Sequence, residues 1–352
     1  MGQFTTWRVL PETGLYQRSV TLGSILAGIR QLFGRASTSS SSGNAARAKV
    51  CHMSSMARKP MKQYGANGPA MHKSEEDFIY NWMNKLRTMR SNGVANGRIV
   101  RCRKSTETGT ESLRPGTKRV HFVRHGEGHH NVHSTRWFDE KKRGNPWQHA
   151  SCPIDPGLTD LGVTQAKELN ERSERELGAG PQVVVVSPLL RTLQTATLGF
   201  DYIVGKEVPF VAQEDCREIM GQHRCDRRVS PAFRASSFPH VDFSGLEDHD
   251  PVLAARCGDP TEEDLEATAE TDAVFNAVPN YAEARETDEA AVGRALDFLF
   301  WIRDRPEQDI CVVTHSAFLC VAFNGAMMCD CEDLQSWFST GEIRSVDLTY
   351  EA

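Results

Sequence analysis

Arginine, histidine and glycine stand together at Arg124-His125-Gly126-Glu127, directly after the alternating run Lys118-Arg119-Val120-His121-Phe122-Val123. That run reads as a β-strand, so an imidazole and a guanidinium arrive at its carboxyl end, where open α/β sheets place ligands. Neutral imidazole is a nucleophile near pH 7, and guanidinium offers a fork of donors that matches phosphate oxygens. Gly126 can take positive φ and let backbone amides approach a charged group closely. The pair reads as a nucleophile beside a phosphate clamp.

The pattern recurs at two further strands. Val183-Val184-Val185-Val186 is a continuous apolar run of the kind buried on both faces. Ser187-Pro188 after it reads as a helix N-cap with proline at the first helical position, and Arg191 falls near that helix N-terminus. Leu189, Leu193 and Ala196 would face the sheet, with Arg191 and Thr195 on another side. Ile310-Cys311-Val312-Val313 is a third buried strand, and it delivers Thr314-His315-Ser316 before an apolar stretch from Ala317 to Met328. Two histidines and two arginines at three strand ends form a cationic cluster that is costly without a shared anion. A phosphate pocket is the economical reading.

Four blocks carry a family resemblance. Arg124-His125-Gly126-Glu127-Gly128-His129-His130-Asn131, the segment Gly157 to Ala166, the segment Ser187 to Ala196, and Val313-Thr314-His315 resemble, in order, the blocks of the histidine phosphatase superfamily. This clan includes the cofactor-dependent phosphoglycerate mutases. The likeness covers roughly residues 115–350. It implies that His125 is the nucleophile and forms a phosphohistidine that water later hydrolyses. It implies that Arg124, Arg191 and His315 bind the phosphoryl oxygens, with Asn131 a neutral donor at the opening of the next helix. Glu218, in Cys216-Arg217-Glu218-Ile219-Met220-Gly221, matches the family's proton donor after the second block. Glu214, Asp215 and Asp226 lie nearby as alternatives. One carboxyl can serve both half-reactions. No metal or cofactor is expected, because the arginines do the neutralising.

The same clan contains hydrolases and mutases. The mutase form of the first block resembles Arg-His-Gly-Glu-Ser-x-Trp-Asn, with Gly-Asn-x-x-Arg after the last histidine. Here Gly128 and His130 replace the serine and tryptophan, and Ser316-Ala317-Phe318-Leu319 replaces the glycine-asparagine segment. The acid-phosphatase branch would show His-Asp where this chain has His315-Ser316. A phosphomonoester hydrolase is the expected activity. A mutase and a catalytically inactive binder of phosphorylated ligands are the alternatives.

Other residues could be read two ways. His129 and His133 stand four apart, as helical metal ligands do, but no carboxylate completes a familiar spacing. They read as substrate-facing or solvent-facing residues of the first helix. Arg224-Cys225-Asp226-Arg227-Arg228 could hold a substrate's second anionic group or form a solvated turn with internal ion pairs.

Strands alternating with helices make the fold α/β, a three-layer sandwich whose mostly parallel sheet carries helices on both faces. The organisation expected is an extension at 1–73, a helix and linker at 74–114, and a catalytic domain at 115–352. Ser74-Glu75-Glu76-Asp77 starts a helix with Phe78, Ile79, Trp82, Met83, Leu86 and Met89 as its apolar stripe. Thr287-Asp288-Glu289 starts another, with Val292, Ala295, Leu296, Leu299 and Ile302 recurring before Pro306. Residues 230–280 form an acidic, proline-interrupted insertion that resembles the family's cap over the active-site mouth.

Charge is unevenly spread. Residues 1–73 carry ten Lys or Arg and one acid, Glu12, whereas 242–289 carry fifteen Asp or Glu with only Arg256 and Arg285. Leu22, Ile25, Leu26, Ile29 and Phe33 recur at helical spacing among arginines, and Ser37 to Ser42 follows. This start resembles an organelle transit peptide, and Met1 to Thr6 also fits a myristoylation pattern. An untargeted tail, or a true start at Met53 or Met71, are the alternatives. The basic region lacks interleaved aromatics, so nucleic acid is not an expected partner. No apolar run approaches the roughly 20 residues that span a bilayer. Scattered cysteines such as Cys311 and Cys320 in apolar elements fit a reducing, intracellular setting, cytoplasmic or, with a transit peptide, mitochondrial or plastid. The partner expected is a small phosphorylated substrate.

Overall fold

A computed structural model describes residues 4–9, 16–21, 73–93, 97–105, 113–149, 151–221, 223–248, 250 and 285–351. The chain divides into units 1–59 and 60–352. In the first, β1 (Phe4–Val9) pairs antiparallel with β2 (Tyr16–Thr21). The helical spacing from Leu22 to Phe33 and the serine run lie outside the described residues.

The second unit opens with α1 (Lys73–Ser91), β3 (Ile99–Lys104), β4 (Lys118–Arg124), α2 (His129–Asp139) and α3 (Asp160–Leu177). Then come β5 (Val183–Val186), α4 (Leu190–Gly199), β6 (Phe210–Ala212), α5 (Pro231–Ala235) and β7 (Val241–Asp242). It closes with α6 (Asp288–Asp304), β8 (Asp309–Thr314), α7 (Ser316–Val321), β9 (Met327–Cys329) and β10 (Ile343–Glu351). The strands form one sheet in the order β7-β6-β5-β8-β4-β10-β3-β9. Among its described strands, β10 alone runs against the rest. This is the expected α/β architecture.

Side chains alternate across a strand, so each central strand feeds two cores. Val120, Phe122, Val183, Val185, Ile310 and Val312 pack with apolar residues of α1, α6 and α7. Val123, Val184, Val186, Cys311 and Val313 are equally buried, as are Leu169 of α3 and Leu193 and Ala196 of α4. Helix α4 packs on β5 and β8. β4 is buried along its whole length, so its polar residues need partners.

Helix α1 starts as the sequence indicates and inserts Ile79, Met83 and Leu86 into the core. Phe78 departs from the expected stripe: it is 65% exposed. Thr287 caps α6 as expected, its hydroxyl accepting from Ala290 N–H. The Ser187-Pro188 expectation is corrected. Helix α4 begins at Leu190 with Leu189 at the cap, and the Ser187 side chain is used elsewhere. Within the expected insertion, 231–235 is a helix and 241–242 an edge strand of the main sheet; residues 251–284 lie outside the described residues. No described helix is long and apolar enough to cross a membrane.

Candidate active site

β4 and β8 are parallel neighbours in register, with Arg124 opposite Thr314. The next residue of each is therefore a histidine at the same edge of the sheet. His125 N–H donates to the Thr314 carbonyl at 3.0 Å, which locks the two strand ends together. The His125 and His315 rings lie 5.2 Å apart, and His130 from α2 stands 5.4 Å from His125. All three histidines are buried.

The tautomer of His125 follows from one contact. Its Nδ1 lies 2.6 Å from the carbonyl oxygen of Gly126, which can only accept, so Nδ1 carries the proton. In the neutral ring Nε2 then holds a free lone pair. Burial, then the charges of Arg191 and Arg124, push the His125 pKa well below its usual value. The ring is held neutral near pH 7 with a nucleophilic nitrogen available.

Gly126 contributes differently from the expectation. It is not among the positive-φ glycines. A Cβ there would lie 2.5 Å from the carbonyl oxygen of Gly162 at the start of α3, so glycine is required for close approach of two backbones. Gly126 N–H donates to Thr195 Oγ1 at 3.0 Å, and that hydroxyl donates to the Arg191 carbonyl. The loop that carries His125 is thus tied to the helix that carries Arg191.

Arg191 is fully buried. Its Nη1 donates to the Cys225 carbonyl at 2.7 Å and its Nη2 pairs with Asp226 Oδ1 at 2.9 Å, while its Nε has no hydrogen-bond partner. Arg124 Nη1 donates to the Phe338 carbonyl at 2.7 Å, with its guanidinium 5.9 Å from the Trp337 ring centroid. Asn131 turns its amide oxygen to Gly128 N–H at 2.9 Å.

Glu218 receives N–H donors from Ile219, Phe318 and Ala317 at 2.8–3.1 Å, so its carboxyl faces the turn that follows His315. Burial and the charge of Asp226 push its pKa up, against the downward pull of those amides and Arg191. The other nearby acids are engaged elsewhere. Glu214 binds Arg217 and Arg228, and Asp226 bridges Arg191 and His223. Asp215 shows no contact with the histidine cluster; its carbonyl accepts from Arg294.

Two contributors escaped sequence reasoning, and a third, Asp226, was named in another role. Ser187 Oγ lies 2.7 Å from His315 Nε2, leaving His315 Nδ1 as a buried nitrogen without a partner. His130, noted only as a replacement for tryptophan, has an equally unpartnered Nδ1. Asp226 anchors Arg191, and its segment 224–228 is buried rather than a solvated turn. The legible signal for Ser187 was its place immediately after β5, at the same sheet edge as both histidines.

A cavity of about 450 Å³ opens over Arg124, His130, Asn131 and Glu218. His125 adjoins it through His130. Of the six residues the sequence singled out, Arg124, Asn131 and Glu218 line this cavity, while His125, Arg191 and His315 lie in the buried cluster beside it. His129 is exposed, and His133 bonds the Pro146 carbonyl instead of forming a pair with it. Among the described residues, no group of three or more His, Cys, Asp or Glu is placed to hold a metal.

Residues 120–224 match the family described as histidine phosphatase superfamily (branch 1). A phosphoglycerate mutase-like protein of Arabidopsis thaliana is 29% identical over 251 residues, covering 63% of this chain and 79% of that protein. Phosphoglycerate mutase-like protein 1 of the same plant is 29% identical over 260 residues, covering 65% and 80%. Among solved structures, a mycobacterial glucosyl-3-phosphoglycerate phosphatase aligns over 67% of this chain and 96% of its own, at 16% identity and a TM-score of 0.36. The matched segment runs from within β4 to Arg224 and includes His125, Asn131, Arg191 and Glu218.

Proposed function

We propose that the protein is a metal-independent phosphomonoester hydrolase that works through a phosphohistidine on His125. The observation that carries this reading is the His125 tautomer: Nδ1 is committed to Gly126, which leaves Nε2 to attack. Arg124, Arg191 and His315 hold the phosphoryl oxygens, with Asn131 as a neutral donor. Arg191 Nε and His315 Nδ1, both without partners, are the donors an anion would satisfy. As Nε2 bonds to phosphorus, the ester oxygen leaves with its electron pair and takes a proton from Glu218. Glu218 then accepts a proton from water as that water attacks the phosphohistidine. Burial of its carboxyl favours the protonated form that the first half-reaction needs.

The names of the plant relatives favour a second reading, phosphoglycerate mutase-type transfer, in which the phosphohistidine returns its phosphoryl group to a bound product. Gly128, His130 and Ser316, where the mutase pattern has other residues, support hydrolysis instead. Purified wild type and His125→Ala would be incubated with chelator on a phosphomonoester panel that includes 3-phosphoglycerate. Inorganic phosphate from the wild type alone is the expected result. Conversion of 3- to 2-phosphoglycerate in the presence of bisphosphoglycerate, without phosphate release, would make it a mutase.

A further inference from the structure

The cavity over the histidine cluster is walled by an element that lies before the matched family segment. Helix α1 contributes Phe78, Ile79 and Trp82, and Phe138, Trp147 and Trp337 face the same space. α1 is firmly placed. Ile79, Met83 and Leu86 are buried in the core, Arg87 donates to Asn324 Oδ1 at 2.8 Å, and Lys85 pairs with Asp288. A wall held in this way is preorganised.

The chemistry of that wall is specific. Trp82 spends its only donor on Asp288 Oδ1 at 2.8 Å, so the ring has only carbon and π surface left to offer. Trp147 packs on His223 at 5.1 Å and on Phe138 at 6.1 Å. His223 and Arg285 lie against each other at 3.4 Å, and Asp226 is tied to Arg191 and His223, so these three polar groups beside Trp147 are engaged among themselves, with Glu75 of α1 also on the lining. Phe78 remains largely exposed at the cavity, apolar surface that folding has not used. The anionic and aromatic ends meet where the Arg124 guanidinium packs on Trp337.

We propose that this cavity takes phosphomonoesters whose leaving alcohol carries a flat aromatic group, seated against Phe78 and Trp82 of α1. The inference rests on the phosphatase reading of the same site. The phosphate lies at the Arg124–Asn131 end and the ring lies between α1 and Trp147. Aromatic rings prefer offset or edge-on partners, which a cage of tilted rings supplies. A small polyol phosphate would leave that wall wet and gain nothing from it.

The test compares 2-phenylethyl phosphate with ethyl phosphate on the full chain. Their leaving alcohols are of similar acidity, so the ratio of kcat/KM reads the contact with the ring and not the ease of bond breaking. The wild type is expected to prefer the phenylethyl ester at least tenfold. Phe78→Ala, a change at an exposed position, should cut that preference at least threefold, and Phe78→Tyr should restore it. A wild-type ratio near one, with both esters hydrolysed, overturns the aromatic assignment and leaves the phosphatase reading standing. A large ratio that neither Phe78→Ala nor Trp147→Ala reduces overturns it too, because the ring then sits elsewhere. Failure to hydrolyse either ester, in protein whose circular dichroism is native, removes the phosphatase reading and this inference with it.

Discussion

Strand β4 carries an arginine and a histidine near each end, and the two ends could hardly differ more in what they do with them. Near the amino end, Arg119 pairs with Asp347 at 3.0 Å, and His121 is held on both nitrogens, by Ser345 and by Asp309. Lys118 donates to the carbonyls of Arg305 and Glu307. At the carboxyl end, His125 commits only Nδ1, and its neighbours Arg191 and His315 each keep a buried nitrogen without a partner. Residue type is the same at both ends; satisfaction is not. A buried polar atom left unsatisfied costs about 1–3 kcal/mol, and at the carboxyl end several such atoms gather around one ring cluster, as a shared anion would require.

The comparison is broken most directly at His125. His125→Ala should lose more than about 10³-fold in phosphate release while keeping a native circular dichroism spectrum, because no other residue supplies the nucleophile. Arg191→Ala should cost about 10²–10³-fold, the scale seen when one preorganised donor to developing charge is removed. It should also move a titration. Arg191 helps hold the His125 pKa down, so its loss raises that pKa and shifts the acid limb of kcat/KM to higher pH.

On the proposed mechanism Glu218 sets the other limb. Activity should rise as pH climbs through the lowered pKa of His125 and fall as pH climbs through the raised pKa of Glu218. Glu218→Gln should lose about 10²-fold or more and with it the alkaline limb. Asp226→Asn removes a negative charge that raises the Glu218 pKa, so that limb should move to lower pH. An unmoved limb would assign the proton to another group.

Ser187→Ala should cost about tenfold, by freeing the His315 ring to turn, with its effect on kcat/KM larger than on stability. The smallest catalytic effect belongs to the opposite end of the strand. Arg119→Met should leave kcat/KM within about twofold, yet lower the chemical-denaturation midpoint, because Asp347 is left without its partner. A tenfold loss of activity there would erase the distinction between the two ends.

Much of this was legible in the sequence. The apolar strands Val183–Val186 and Ile310–Val313, the helix starts at Ser74 and Thr287, and the four family blocks located the site before any coordinates. What escaped was decided by tertiary contact. Ser187 looks like a helix cap because serine before proline often is one, but the helix begins two residues later and the serine hydroxyl meets His315 from another strand. Gly126 was legible as a residue free to take positive φ, while its constraint is the α3 backbone pressed against it. Asp226 sits in an arginine-rich run that the sequence leaves open between an anion site and a solvated turn, and only its pairing with Arg191 reveals the buried role. Phe78 fitted the helical stripe by spacing, yet it faces the cavity and not the core.

The central claim is that His125 Nε2 becomes phosphorylated. The wild type would be mixed with a phosphomonoester, quenched within a single turnover in alkali, digested, and the peptide containing His125 examined by mass spectrometry. The account predicts an acid-labile, alkali-stable phosphate on His125, absent from His125→Ala. Phosphate release by the wild type with no label on His125 at any quench time would contradict it.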